Sequence, residues 1–338
     1  MDLRDYRPRS RLRVAQTQVP RAAVAAIDAH NHLGTWLTGD WAVQDVRALL
    51  ELMDACNIES IVNLDGRWGE ELEANLDRYD RACPGRFFTF CQVDWALPGP
   101  ELAESLRRSV AAGARGLKVW KDLGLHVRDS QGRLILPDDP RLAPLWEAAG
   151  DLGVPVAIHT ADPVAFFDPV DAFNERYEQL LQHPDWSFAD RTRFPSFERL
   201  LTALETLVEG HPRTTFIAVH AGCHPEDLGR VGRMLAAYPN LHIDIAARVA
   251  ELGRQPRAAR KLILRFPDRV LFGTDEIPPT AAEYATHFRF LETWDEAFPH
   301  SSEDPPLMGR WTISGLGLPD DVLAKVYREN AARLLGLR

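Results

Sequence analysis

Short apolar segments alternate with amphipathic ones along nearly the whole chain, and this alternation narrows the fold more than any other feature. The apolar segments are 24–28, 58–64, 87–93, 115–120, 154–159, 214–219, 241–245 and 270–273. Their length and composition read as buried strands. Helical patterns lie between them, near 42–56, 69–82, 100–112, 140–152, 196–210, 225–237 and 256–266. In 100–112, Leu102, Leu106 and Val110 recur at four-residue spacing with charges between them, the pattern of a helix with one buried face. Strands separated by helices must run parallel, because each crossover needs a dozen or more residues. Eight such units over about 250 residues predict an α/β fold, a closed (β/α)8 TIM barrel. The alternative is an open, doubly wound sheet, which places its site at a single crevice. Here polar residues stand at many strand ends, and that favours the barrel.

Three segments fall outside the repeat. Residues 1–22 read as an N-terminal arm. Residues 160–195 form a long insertion after strand five, the kind of loop that serves as a lid. Residues 319–336 read as a closing helix with Pro319 at its start. No internal repeat or low-complexity linker interrupts the chain, so one domain is expected over residues 1–338.

Composition excludes several functions. The 338 residues are 45% hydrophobic and 26% charged, within the range of a globular protein with a large core. The net charge of −10 argues against sequence-independent nucleic-acid binding, which needs a basic face. No uncharged apolar run approaches the roughly 18 residues that span a bilayer, and Met1–Arg13 lacks the apolar core of a secretory signal. Cys56, Cys83, Cys91 and Cys223 are scattered without CxxC spacing, which fits a reducing cytoplasm without disulfides. A small molecule is the expected partner, without nucleic acid or membrane. A homo-oligomer stays open.

The chemistry gathers at the strand ends. Strand one runs into Asp28-Ala29-His30-Asn31-His32. Side chains two apart on a strand share a face, so His30 and His32 are expected to converge, with Asp28 one step behind them. Two neutral imidazoles so placed suit a divalent metal. Lys118 lies in strand four, His159 closes strand five, His220 follows strand six and Asp275 follows strand eight. These are the positions where a barrel builds its site. Asp65, Arg67, Asp94, Lys121, Asp244 and Arg248 occupy neighbouring positions, and Arg67, Lys121 or Arg248 could pair a substrate carboxylate. Trp36, Trp68, Trp95 and Trp120, with Phe166 and Phe167 of the insertion, fall on the same end. Aromatics there suit a bulky or ring-bearing substrate. The expected substrate-binding set is Trp36, Trp68, Trp120, Phe167, Arg67 and Arg248.

The phrases Ile-Asp-Ala-His-Asn-His, Gly-Leu-Lys-Val-Trp, Val-His-Ala-Gly and Leu-Phe-Gly-Thr-Asp resemble those of the amidohydrolase superfamily, in its amidohydrolase-related (amidohydrolase 2) branch. The resemblance spans most of residues 24–335. It implies that His30, His32 and Asp275 bind a divalent metal, joined by His159 in a one-metal site. In a two-metal site it implies that Lys118, carboxylated on its amine, bridges the ions while His159 and His220 hold the second. Zinc is the expected ion, with iron or manganese as alternatives. Asp275 and His220 are the implied acid–base groups. The implied activity is hydrolysis of an amide, ester, lactone or thioester. The alternative is non-oxidative decarboxylation of an aromatic or unsaturated acid.

Overall fold

In the computed structural model, which describes residue 6 and residues 10–337, eight short parallel strands stand in chain order. They are β1 (Ala26–Asn31), β2 (Ile58–Asn63), β3 (Phe87–Thr89), β4 (Leu117–Val119), β5 (Val156–Ile158), β6 (Phe216–Ala218), β7 (Leu241–Asp244) and β8 (Val270–Leu271). They form a three-stranded ladder, β1-β2-β3, and a five-stranded ladder, β4 to β8. A single bridge, Cys91 with Leu117, spans the seam between β3 and β4. At the other seam Ala29 N donates to Phe272 O (3.0 Å) and Asp275 N to His30 O (2.8 Å). The strands and intervening helices have the TIM-barrel architecture, although the ladders do not join into one closed sheet.

Alternation along the strands divides the core into two layers. Ile27, Val62, Phe88, Ala157, Ile217 and Leu271 pack together inside the barrel, and Ala331, Ala332 and Leu335 of the C-terminal helical segment plug that interior. Ala26, Ile61, Leu117, Val156, Phe216, Ile243 and Val270 belong to the larger layer under the helices. The closing segment begins at Pro319 and runs through Asp320–Ala324, Lys325–Glu329 and Asn330–Leu334.

One irregularity in β1 matters for the site. Its pairing with β2 slips between Asp28 and Asn31. Such a bulge re-aims the side chains that follow it. Asp28 therefore does not share a face with His30, against the simple two-residue rule. Its carboxylate accepts from Thr274 N (3.0 Å), Thr274 Oγ1 (2.7 Å) and Tyr284 OH (3.0 Å), toward the surrounding helices.

The helix Ala281–Glu292, which carries Tyr284, and the hairpin of Phe298–Pro299 with Thr312–Ile313 complete the region after β8. Neither is expected from the apolar pattern. Of the arm, residues 1–5 and 7–9 lie outside the described residues. Its later part is tied down: Thr17 N and Oγ1 donate to Asp295 (2.7 and 2.8 Å), and Ala22 N donates to Cys56 O (3.1 Å). The insertion contains Val164–Phe167 and Tyr177–Gln182 as short helical pieces. It has a small core of its own, in which Phe167, Leu180, Phe188 and Phe194 pack against Leu200 and Leu201.

Candidate active site

The site forms at the C-terminal strand ends, and its floor is built around Asp275. His30 Nε2 lies 3.5 Å and His32 Nε2 3.3 Å from the same Asp275 oxygen, Oδ1. The other oxygen, Oδ2, lies 3.9 Å from His220 Nε2. His30 Nδ1 donates to Asp244 Oδ2 at 2.7 Å, which leaves Nε2 as a lone pair directed at Asp275. Likewise His220 Nδ1 donates to Ala246 O (3.0 Å), which leaves its Nε2 free. His220 and Asp275 hold positive φ angles of 117° and 63°. Non-glycine residues pay for that conformation, and such strain collects where side chains must be aimed precisely. Gly273 passes so close to His30 that an added Cβ would stand 2.8 Å from His30 Cβ.

Electrostatics keep these donors ready for a cation. Burial pushes His30 down to about 3 and His32 and His159 down to about 4. Burial also takes His220 well below its ordinary value, with His159 adding to the effect. The imidazoles are therefore neutral at neutral pH, the form that binds metals. Burial would raise Asp275, but His30, His32 and Lys118 outweigh it and hold the carboxyl well below its usual range. The lone pair of His30 Nε2 near a carboxylate oxygen is unfavourable unless a positive charge lies near, and Lys118 Nζ, 3.4 Å away, supplies one in the metal-free protein. Donor atoms around a tetrahedral ion, with bonds of about 2.0–2.1 Å, stand roughly 3.4 Å apart. The two His-to-Asp275 separations match that spacing. The donor set thus fits a divalent ion in chemistry and in reach.

Lys118 points inward. Its Nζ lies 3.4 Å from His30 Nε2 and 5.2 Å from the Trp120 ring centroid. Burial lowers it to about 8 against the pull of Asp275 and Asp244. His159 stacks edge-on against His220, with centroids 4.3 Å apart, but its Nε2 lies 3.3 Å from Asp162 Oδ1. Among the described residues, the close donor groups are His30 with His32 and Asp275, and His30 with His220 and Asp244. The second contains the His30–Asp244 hydrogen bond. Neither includes His159.

Two cavities open above this floor. The larger, about 630 Å³, is lined by His32, Trp36, Trp120, Lys121, His159, Phe166, Arg176, Gln179, Trp186, His220, Arg248 and Asp275. Of the expected substrate-binding residues, Trp36, Trp120 and Arg248 line it. Arg67 and Trp68 line a neighbouring cavity of about 440 Å³ that shares Trp36 and Trp120. There the Arg67 guanidinium stacks on Trp68 (4.0 Å) and Trp36 (4.8 Å) and donates to Gln92 Oε1 (3.1 Å). Phe167 lines neither. It packs against Phe188 and Phe197 in the core of the insertion, and its neighbour Phe166 faces the pocket instead.

Sequence leaves Asp28 either a structural residue of the strand end or the group in position to orient the His30 ring. The structure gives that position to Asp244, while Asp28 reaches only the His30 backbone N (3.3 Å). The alternation of β7 carries this signal, because Leu241 and Ile243 face the helices and leave Asp244 on the inner side. Arg176, Gln179 and Trp186 come from the insertion, where no periodicity marks them.

A parallel α/β barrel with histidines and an aspartate gathered at its strand ends is the framework of the metal-dependent hydrolases and their relatives. The chain belongs to the amidohydrolase family, whose model it matches over residues 27–337. No curated protein matches the chain in sequence. Among solved structures it resembles 2,6-dihydroxybenzoate decarboxylase from Rhizobium, with 20% identity over 93% of this chain and 99% of that one, at a TM-score of 0.59. It also resembles a dihydroxybenzoic acid decarboxylase from Polaromonas, solved with manganese and the inhibitor 2-nitroresorcinol, with 18% identity, 93% and 97% coverage and a TM-score of 0.58. A third is a Pseudomonas putida protein described as a candidate 2-pyrone-4,6-dicarboxylic acid hydrolase, with 14% identity, 93% and 98% coverage and a TM-score of 0.52. At these identities the likeness is one of fold. No helix of the described residues is long and apolar enough to cross a membrane.

Proposed function

We propose that the protein is a metal-dependent hydrolase that cleaves an amide, ester, lactone or thioester of a ring-bearing organic acid derivative. The observation that carries this reading is the division of labour at Asp275. One oxygen stands near both His30 and His32, and the other faces His220. His30, His32 and Asp275 would hold one ion, zinc in the first instance and manganese or iron as alternatives. When bound, a divalent ion makes water a nucleophile near neutral pH and polarises a carbonyl. Asp275 is placed to accept a proton through Oδ2, and His220 Nε2 is the adjacent group to receive it and return it to the leaving atom. Asp244 holds His30 in the tautomer that ligation requires. Trp36, Trp120, Phe166 and Trp186 wall the pocket and would exclude bulk water from a bound ring.

Decarboxylation of an aromatic acid is the second reading. It is favoured by Lys118, an ammonium outside the His30–His32–Asp275 set that could deliver a proton to carbon, while His220 could do so only after taking up a proton at Nε2. The test begins with metal content. The purified chain should hold one divalent ion, and His32→Ala and Asp275→Asn should abolish its retention. A panel of aryl esters, amides and lactones is then turned over in ¹⁸O water, with dihydroxybenzoates in parallel. Solvent oxygen in the product supports hydrolysis. Release of CO₂ without such uptake overturns it in favour of the lyase, and a metal-free active enzyme overturns both.

A further inference from the structure

Two arginines on the wall of the larger cavity have binding capacity that the protein does not use. Arg176 is 1% and Arg248 6% exposed, and both line the pocket. Arg176 spends its terminal nitrogens on Gln179 Oε1 (3.0 Å) and on Glu251. Arg248 donates from Nη1 to Ala247 O at 2.7 Å. The Nε of each guanidinium is buried without a hydrogen-bond partner. An unpaired buried donor of this kind is costly to keep, the more so when it is charged. The two side chains are also near enough to repel. Burial lowers Arg176 to about 9, and Arg248 is the next cause. Glu251 pairs with Arg176, and Glu226 and Glu175 also attract it, whereas among the described residues Arg248 has no carboxylate within ion-pair distance.

The two arginines reach the wall from different elements. Arg248 follows β7, immediately before the short helix Val249–Gly253 that carries Glu251. Arg176 belongs to the insertion, immediately before Tyr177–Gln182. The insertion thus brings a guanidinium to the barrel's own arginine, with Phe166 and Trp186 from the same segment lining the pocket beside them. Guanidinium groups match the planar, two-oxygen geometry of a carboxylate.

We propose that Arg176 and Arg248 form a carboxylate subsite, so that the substrate is a ring-bearing acid whose carboxylate sits on this wall while its reacting carbon faces Asp275. The proposal rests on the reading of this cavity as the substrate pocket. It does not depend on whether the reaction is hydrolysis or decarboxylation. A carboxylate on the wall would meet Arg248 Nη2, which makes no hydrogen bond to any described residue, and would fix which end of the ring faces the floor.

The test compares benzoate with isophthalate and terephthalate by titration calorimetry on the metal-loaded full chain. One carboxylate of each probe can meet the floor, but only the dicarboxylates have a second for the wall. At least one dicarboxylate is expected to bind tenfold or more tightly than benzoate, beyond the factor of two that two equivalent ends supply. Arg248→Gln should reduce the preference to that factor while melting temperature and metal content stay at the parent's values. Arg248→Lys should restore part of it. Equal binding of all three probes by the unaltered protein overturns the proposal without recourse to any variant. So does a preference that survives Arg248→Gln. If the chain holds no metal yet prefers the dicarboxylate through Arg248, the subsite stands and the metal reading falls.

Discussion

Asp244→Asn separates a metal-orienting role from a structural one. Asp244 Oδ2 accepts from His30 Nδ1 at 2.7 Å, and both side chains are buried. Asparagine keeps the shape and an acceptor for Ala246 N, which now bonds Asp244 Oδ1 at 3.1 Å. It removes the charge from the bond to His30, and it can turn its NH₂ toward Nδ1, which would move the ring proton to the ligating nitrogen. Loss of such an orienting partner weakens metal binding by about 10–100-fold, which is roughly 1.4–2.7 kcal/mol. Stability should respond differently. Burial raises the Asp244 carboxyl to about 7, against the pull of Lys118. Because this folded-state value lies above the unfolded one, the group's contribution falls as pH rises through that window. At pH 8 the charged carboxylate is a cost to the metal-free fold, and asparagine removes it. The assay is competition for Zn²⁺ against a chromophoric chelator, paired with melting of the chelator-treated protein at pH 8. Affinity should fall at least tenfold while the metal-free melting temperature stays within a few degrees of the parent's. Affinity within threefold of the parent, or a parallel collapse of both readouts, would refute the assignment.

Two further outcomes follow from the same geometry. Burial depresses His30 and His32 to about 3 and 4, so protons compete with the ion only near those values. Equilibrium dialysis should show metal retained from pH 7 down to about 5 and lost toward pH 4, whereas half-loss near pH 6.5 would mean ordinary, solvated imidazoles. Gly273→Ala would place a methyl 2.8 Å from His30 Cβ and 3.2 Å from His30 N. It should cost about 1–3 kcal/mol as overpacking and weaken metal binding at least tenfold, so an unchanged chelator titration would show that His30 is not held by this contact.

The barrel was legible because its physics is periodic. A buried strand must be a short apolar run and a covering helix must repeat near every fourth residue, so segments such as 100–112 lie within a residue of Gly99–Ala112 in the structure. The region after β8 broke that rhythm. Its helix Ala281–Glu292 buries Tyr284, His287, Phe288, Phe290 and Leu291, with polar and aromatic residues in the stripe, and a search for aliphatic spacing passes over it. Within the site, sequence brought together His30, His32, His220 and Asp275 as residues at strand ends. It misassigned Asp28, because the two-residue alternation holds only for an unbroken ladder. The pairing slip between Asp28 and Asn31 turns Asp28 toward Tyr284 and His30 toward Lys118 and Asp244.

The same contrast explains why specificity was harder to read than reaction class. Donors at strand ends are placed by backbone geometry, and any barrel of this kind must aim them at its axis. Pocket walls are placed by the insertion, whose short helical pieces and own small core follow no repeat. Adjacent residues there have opposite fates: Phe166 lines the pocket, whereas Phe167 packs against Phe188 and Phe197. The hydrogen bond from Phe188 N to Phe166 O (2.7 Å) and those from Arg191 to the carbonyls of Phe167 and Phe188 fix that choice, and each partner lies some twenty residues from Phe166 and Phe167. Arg176 depends on contacts more distant still, since Glu251 lies 75 positions away. The segment that carries the wall chemistry is therefore organised by contacts whose partners cannot be inferred from spacing. A change of substrate could proceed by altering this segment while the floor of His30, His32, His220 and Asp275 stays fixed by the strands.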